Sequence, residues 1–392
     1  MPELSSDTPS GSPNVTPSGA EFLARAQRLV TVLAGREAAA TAARNIPAET
    51  INDLRRSGLL RLLRPRRFGG HQASVRVFLE AVETLAGGCA STGWVYGVIA
   101  ELEWVIACLP EQGQIDVWGD DPEALTVGTI IPHNIATRTQ GGWRFTGRQA
   151  FASGCQHAQW VIVGARCQDV SGREEASRYL VIPLREAEIL DDWHAMGMRG
   201  TGSFSLMLRD VFVPEHRTVT IADIIAGTPP GCHVHPDYAV LRAPRYFLVP
   251  FVLPAVGFAL ARRALELVPP ALRGRGLSLS DARLLRLGEA AALIESGLLI
   301  FTTRRAGSVA LLESGMPIPE AEVLRNRRDV VLAYQMISQG VERLVALTGA
   351  RSVYDDDPLQ AIRRDLATIA THIVVSEEAG MVPYGRFLMG AP

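Results

Sequence analysis

Lysine is absent from the chain, so all 39 basic side chains in its 392 residues are arginine. We read this as the codon bias of a GC-rich genome, because the formal net charge is only −2 and no basic block occurs. A nucleic-acid partner needs a basic patch and is therefore not expected. The five cysteines, Cys89, Cys108, Cys155, Cys167 and Cys232, are odd in number, widely spaced and contain no CxxC pair. That pattern excludes a disulfide framework and suits reduced thiols in a cytoplasmic protein. No run of about 18 uninterrupted apolar residues appears, so no membrane span is expected. The opening stretch MPELSSDTPSGSPNVTPSGA has neither the basic start nor the apolar centre of a secretory signal. Residues 1–19 are expected to form a disordered tail rich in Ser, Pro and Gly. What the chain does have is 47% hydrophobic and 20% charged residues, the balance of a soluble globular protein large enough for two or three domains.

From residue 20 to about 121 the apolar residues recur at helical spacing, as in Phe22, Ala26, Leu29, Val30 and Leu33. Pro47-Ala48-Glu49-Thr50 starts a second helix, and Gly87-Gly88 punctuates a later apolar pair. Over residues 122–226 the period changes to two, with Val127, Trp143, Phe145, Val161, Val163, Tyr179, Val181, Leu206 and Leu208 alternating with polar or small neighbours. Residues 227–246, with four prolines, read as a linker. Residues 247–392 return to helical patterning, and four or five helices of about 15 residues or more would pack as a bundle. The expected class is α+β, with a helical domain, a central β-domain and a helical bundle.

Two segments of the β-region carry chemistry. In FASGCQHAQW, Ala152, Ser153 and Gly154 form a small-residue turn whose amides can approach a planar ring closely. In DDWHAMGMRGTGSFS, the cluster of Gly197, Gly200 and Gly202 with Arg199, Thr201 and Ser203 offers amides, hydroxyls and a guanidinium suited to a ribityl chain or phosphate. The order G-x-x-G-x-G reverses the dinucleotide fingerprint, so tight nicotinamide binding is not expected. Cys232, His233 and His235 have metal-like residue types but lie in a proline-rich segment without a fourth ligand, and no metal site is assigned.

The ordered series PRRFGGHQ, CASTGWV, FASGCQHAQW, WHAMGMRGTGS, VFVPEHR, GARSVYDDDPLQAIRRD and ATHIVVSEEAG resembles the acyl-CoA dehydrogenase superfamily. Within it, the chain is similar to the oxygenase components of two-component flavin-dependent monooxygenases, including phenol, 4-hydroxyphenylacetate and hydroxysteroid-type hydroxylases. The resemblance runs from about residue 20 to the C-terminus. It implies the superfamily fold, with a barrel-like central domain, and a homotetramer. It also implies reduced FMN or FAD delivered by a separate flavin reductase, O2 adding at flavin C4a, and transfer of the distal oxygen of that hydroperoxide to a small-molecule substrate.

By position, the resemblance nominates Phe151 for ring packing, Ala152 for a backbone contact and Ser153 for flavin N5. It gives Arg199, Thr201 and Ser203 to the flavin, Arg273 and Arg275 to its N1/O2 edge, and Gly349, Ala350, Arg351 and Ser352 to a phosphate or adenosine contact across a subunit boundary. His372, in ATHIV, falls beside the reactive edge. The glutamate base of the true dehydrogenases is missing after Arg364-Asp365, with no carboxylate before Glu377. On the substrate side the resemblance points to Trp94, Leu102, Trp104 and His372. Leu102 stands where several phenol hydroxylases carry a histidine, so simple phenol ortho-hydroxylation is in doubt. Glu101 and Glu103 flank it and are the candidates to replace that histidine, the commoner reading being a helix-surface carboxylate. The expected activity is hydroxylation of an aromatic or polycyclic molecule in secondary metabolism, antibiotic biosynthesis included. Amine N-oxygenation, an acyl-CoA dehydrogenase or oxidase with another base, and a non-catalytic flavin-binding protein are the alternatives.

Overall fold

The computed structural model describes residues 17–274 and 280–390. Helix α1 (Gly19–Ala43) begins at Ser18, whose hydroxyl accepts from the Glu21 amide while the Glu21 carboxylate accepts from the Ser18 amide. Its buried stripe is Phe22, Ala26, Leu33 and Ala40. Helix α2 (Ala48–Ser57) starts after Pro47 and stops at Gly58. Helices α3 (Val75–Gly88) and α4 (Ala90–Ala107) are separated by Cys89 in extended backbone, and α5 (Glu111–Trp118) follows.

Helix α4 is buried on every face, with all its residues except Val98 withdrawn from solvent. Glu101 and Glu103 are consequently not surface carboxylates. Each is buried against an arginine brought from elsewhere, Glu101 by Arg245 at 2.8 Å and Glu103 by Arg64. Burial pushes both carboxyls up, and the facing guanidiniums pull them back. A local reading fails here because the helix has no solvent side on which to place a charge.

Seven strands follow: β1 (Thr126–Thr139), β2 (Gly142–Ala152), β3 (Trp160–Gln168), β4 (Glu174–Pro183), β5 (Ala187–Leu190), β6 (Phe204–Pro214) and β7 (Thr218–Thr220). They form one sheet in the order β5-β6-β2-β1-β3-β4-β7, with β1 and β3 parallel and the other pairs antiparallel. In β2, Trp143 and Phe145 turn inward while Arg144 and Thr146 turn out. In β3, Val161, Ile162 and Val163 are all buried, as expected for a strand covered on both faces.

The segment read as a linker is folded. It carries α7 (Gly231–Val234), just after α6 (Ile221–Ala226), and runs into α8 (Arg245–Leu248), with Tyr238, Val240 and Leu241 buried. His235 Nε2 lies 2.7 Å from Gln114 Oε1, and the Tyr238 hydroxyl donates to the Leu63 carbonyl at 2.9 Å. Arg245–Gly274, which includes α9 (Pro254–Gly274), is long and apolar enough to cross a membrane by length and composition. Its apolar window is 83% buried inside the protein, so it serves as a core helix.

The closing bundle has α10 (Asp281–Glu313) packed along α11 (Glu320–Thr348), then α12 (Pro358–Ile369) and α13 (Glu377–Leu388). Counting α9, three helices after residue 247 exceed 15 residues among the described residues, fewer than the pattern suggested. The last apolar stretch is cut by Asp357-Pro358 and by caps at His372 and Ser376, which take over local amides.

Candidate active site

Four elements converge at the end of β2: the first turns of α4, the loop from Asp191 to Ser203, α12, and the turn that follows α12. Phe151 adopts a left-handed backbone (φ 65°), uncommon for an aromatic residue, and its side chain is 69% exposed. The ring stands edge-on to Trp193, with centroids 6.2 Å apart. Ala152 is buried and pairs with Phe204, and the Gly154 amide donates to the Thr201 carbonyl at 2.8 Å. The small-residue turn is thereby stitched to the second loop.

That loop is wedged against α12. A Cβ on Gly197 would lie 2.2 Å from the Arg364 carbonyl, so only glycine lets the backbones approach this closely. Met198 also has positive φ (51°), and its amide donates to the Asp365 carboxylate. Burial raises that carboxyl to about 6, and the Met198 amide opposes the rise. The Thr201 hydroxyl donates to the Met198 carbonyl at 2.9 Å and lies 2.6 Å from Ser203 Oγ. Ser203 Oγ in turn is 2.7 Å from Ser153 Oγ, which accepts from Trp94 Nε1 at 3.1 Å. All three hydroxyl residues are buried.

His372 stands across Trp94, with ring centroids 5.5 Å apart and planes at 83°. It heads the short turn Ile373–Val375 rather than lying within a helix. Its Nδ1 accepts from the Val374 amide at 3.3 Å, which leaves the proton on Nε2. Burial lowers its pKa to about 4, so at neutral pH it is an uncharged ring with one donor, Nε2–H.

Of the residues nominated from sequence, Trp94, Phe151, Ala152, Ser153, Thr201, Ser203 and His372 come together here. Arg199 contributes its carbonyl, which accepts from Trp193 Nε1 at 3.0 Å, while its side chain is exposed. Leu102 lies two turns along α4 from Trp94 and faces the sheet, where a Cβ on Gly128 would be 2.9 Å from it. Trp104 packs beneath Arg245, whose guanidinium carbon is 5.8 Å from the indole centroid. Arg273 is exposed in the last turn of α9, and Arg275 lies outside the described residues. Gly349, Ala350, Arg351 and Ser352 form a tight turn against α11 and α12, with Arg351 paired to Asp356 at 2.7 Å. Sequence reasoning missed Trp193 and Met198, although both lie inside the WHAMGMRGTGS stretch. It used Asp365 only as a landmark for counting. Nothing in its local pattern marks a carboxylate that receives an amide 167 residues away.

Helical layers around a seven-stranded sheet, with a hydroxyl-lined turn facing a closing helix, define an acyl-CoA dehydrogenase-type flavoprotein. The family described as "Acyl-CoA dehydrogenase, C-terminal domain" matches residues 250–377. Over 363 residues the chain is 31% identical to the oxygenase component of FADH(2)-dependent resorcinol hydroxylase from Rhizobium sp., covering 89% of each. Among solved structures, the HsaA monooxygenase from M. tuberculosis aligns with a TM-score of 0.91 at 29% identity, covering 96% of this chain and 99% of that one. XiaF from Streptomyces sp., solved with FADH2 and glycerol, aligns at 0.86 and 27% identity, covering 95% and 97%. The chain belongs to the oxygenase components of two-component flavin-dependent monooxygenases. Its own residues fit a flavin: the ring of Phe151 is turned outward beside Trp193, the Ser153 oxygen keeps a lone pair, and Gly197 and Gly154 let the two loops pack closely against Arg364 and Val95 and so hold that turn in place.

Proposed function

We propose that this chain hydroxylates an aromatic or polycyclic small molecule of secondary metabolism, using reduced FMN or FAD from a separate flavin reductase, with Ser153 and His372 on either side of the reacting edge. The observation that carries this reading is the meeting of Ser153 and His372 across Trp94, one from the end of β2 and the other from the turn after α12. Bound reduced flavin supplies the electrons that activate O2, with one oxygen atom going to substrate and the other leaving as water. Ser153 holds the N5 side of the ring. Phe151 and Trp193 wall the site against water, and the Ala152 backbone supports the ring edge. Neutral His372 presents Nε2–H as the donor toward the transferred oxygen or the substrate.

Thr201, Ser203, Arg199 and Arg273 serve the ribityl and N1 sides, and Gly349 to Ser352 serve a neighbouring subunit's flavin. Trp94 borders the substrate, with Leu102 and Trp104 further along the same helix. A dehydrogenase reading has no support in the geometry. Glu377, the first carboxylate after α12, accepts from Gln335 at 2.5 Å on the surface. All five cysteines are free thiols, in keeping with a reducing cytoplasm.

The test is an anaerobic titration with FMN and FAD in both redox states. Reduced flavin is expected to bind more tightly, by tenfold or more. Equal binding of the two states, or none, sinks the reading. The homotetramer is supported by apolar residues left exposed on the bundle, among them Leu285 and Leu299 on α10 and Leu388 on α13. Sedimentation velocity should give four times the 42.4 kDa chain mass, and a monomer at micromolar concentration refutes it.

A further inference from the structure

We infer that Thr201 and Ser203 lock the direction of the Ser153 hydroxyl, so that Ser153 meets flavin N5 only as a hydrogen-bond acceptor and thereby selects the reduced cofactor. This rests on the proposed placement of Ser153 at N5. It follows from counting protons. The chain of contacts runs Trp94, Ser153, Ser203, Thr201, Met198, and both of its ends have fixed roles. An indole N–H can only donate, and a peptide carbonyl can only accept.

Each hydroxyl between those ends has a single proton. The Thr201 proton is committed to the Met198 carbonyl at 2.9 Å. The 2.6 Å contact between Thr201 and Ser203 therefore needs the Ser203 proton. With that proton committed, the 2.7 Å contact between Ser203 and Ser153 needs the proton of Ser153. Trp94 occupies one lone pair of Ser153. What Ser153 still has to offer is its second lone pair, and no proton.

Reduced flavin carries hydrogen on N5, which donates into that lone pair. Oxidised flavin presents an N5 lone pair, which would meet another lone pair with no hydrogen between them. A hydrogen bond in one redox state and an unmet pair of acceptors in the other amounts to roughly a ten- to hundredfold preference for the reduced form. The far end of the relay is fixed in place. The Met198 amide is bound by Asp365, and the preceding Gly197 leaves no room between the loop and Arg364. The Met198 carbonyl therefore cannot swing away and release Thr201. All three hydroxyl residues are buried, so bulk water does not compete for their protons.

The experiment measures dissociation constants of reduced and oxidised FMN and FAD, under anaerobic conditions, for the wild type and four variants. Thr201→Val removes the terminal hydroxyl at nearly constant shape. It frees Ser203 to donate to Ser153 and the Ser153 proton to turn toward N5. The reduced-to-oxidised preference should shrink about tenfold, mainly through tighter binding of the oxidised flavin. Ser203→Ala should give the same shift by a different route and serves as the reading if Thr201→Val does not fold. Thr201→Ser keeps the relay and should retain the wild-type preference, whereas loss of the preference in it counts against the inference. Ser153→Ala should weaken reduced flavin. An unchanged preference in Thr201→Val and Ser203→Ala, with weakened binding in Ser153→Ala, overturns the relay and leaves Ser153 at N5. If Ser153→Ala binds both states like the wild type, the N5 placement falls and the relay falls with it.

Discussion

Replacing Arg64 by alanine is expected to lower the free energy of unfolding by about 3–5 kcal/mol, because it strands a buried carboxylate. Arg64 is fully buried. Its Nε and Nη2 hold both oxygens of Glu103, while Nη1 donates to the Pro122 carbonyl and Nη2 to the Ala124 carbonyl. The guanidinium carbon also lies 5.1 Å from the Trp118 ring centroid. One side chain thus ties α4, α5 and the approach to β1. The double variant Arg64→Met, Glu103→Leu should recover part of the loss, since no charge is left alone. It should remain about 1–3 kcal/mol short, because two carbonyls lose their donor. Denaturant unfolding of the three proteins measures this, and a single variant within about 1 kcal/mol of the wild type would refute the account.

His372→Asn is expected to leave reduced-flavin affinity close to wild type while lowering product formed relative to hydrogen peroxide released by on the order of 10²-fold. The reason is geometric. The imidazole stands against Trp94 with Nε2–H as its one donor, a position that a shorter amide cannot reach. The readout is the ratio of hydroxylated product to peroxide per flavin consumed, and an unchanged ratio removes His372 from oxygen transfer. A second readout comes from titration. The folded-state pKa is about 4, against 6.5 for an unperturbed histidine. Between those values the unfolded chain binds more protons, so stability rises with pH across that window and the contribution is complete above 6.5. His372→Asn should flatten this part of the acid limb. Asp365, raised to about 6, contributes in the opposite sense, favouring the folded state at low pH and losing that effect as pH rises through 6. The comparison is therefore between variant and wild type at each pH rather than between pH values.

The order of helical and sheet regions was legible because each rests on a periodicity that tertiary contacts seldom reverse. The stripe Phe22, Ala26, Leu33 in α1 and the alternation at Trp143 and Phe145 in β2 are examples. The turn Phe151 to Gly154 and the loop ending in Ser203 were also legible, since glycines and small residues mark backbone that must bend or approach closely. The environment of Glu101 and Glu103 was not. A charge on an apolar helix looks like a solvent face until the helix is found to have none, and the arginines that neutralise it lie 144 and 39 residues away.

The sequence by itself determined the class of fold, the two small-residue turns and the loss of the dehydrogenase base, because local propensity and residue chemistry decide such features within a few positions. Only the tertiary structure decided that His372 heads a turn with its proton on Nε2, that Asp365 holds the Met198 amide, and that three hydroxyls join in a single relay. Those facts depend on which groups distant in the chain share a hydrogen bond, and proton counting can begin only when every partner is known.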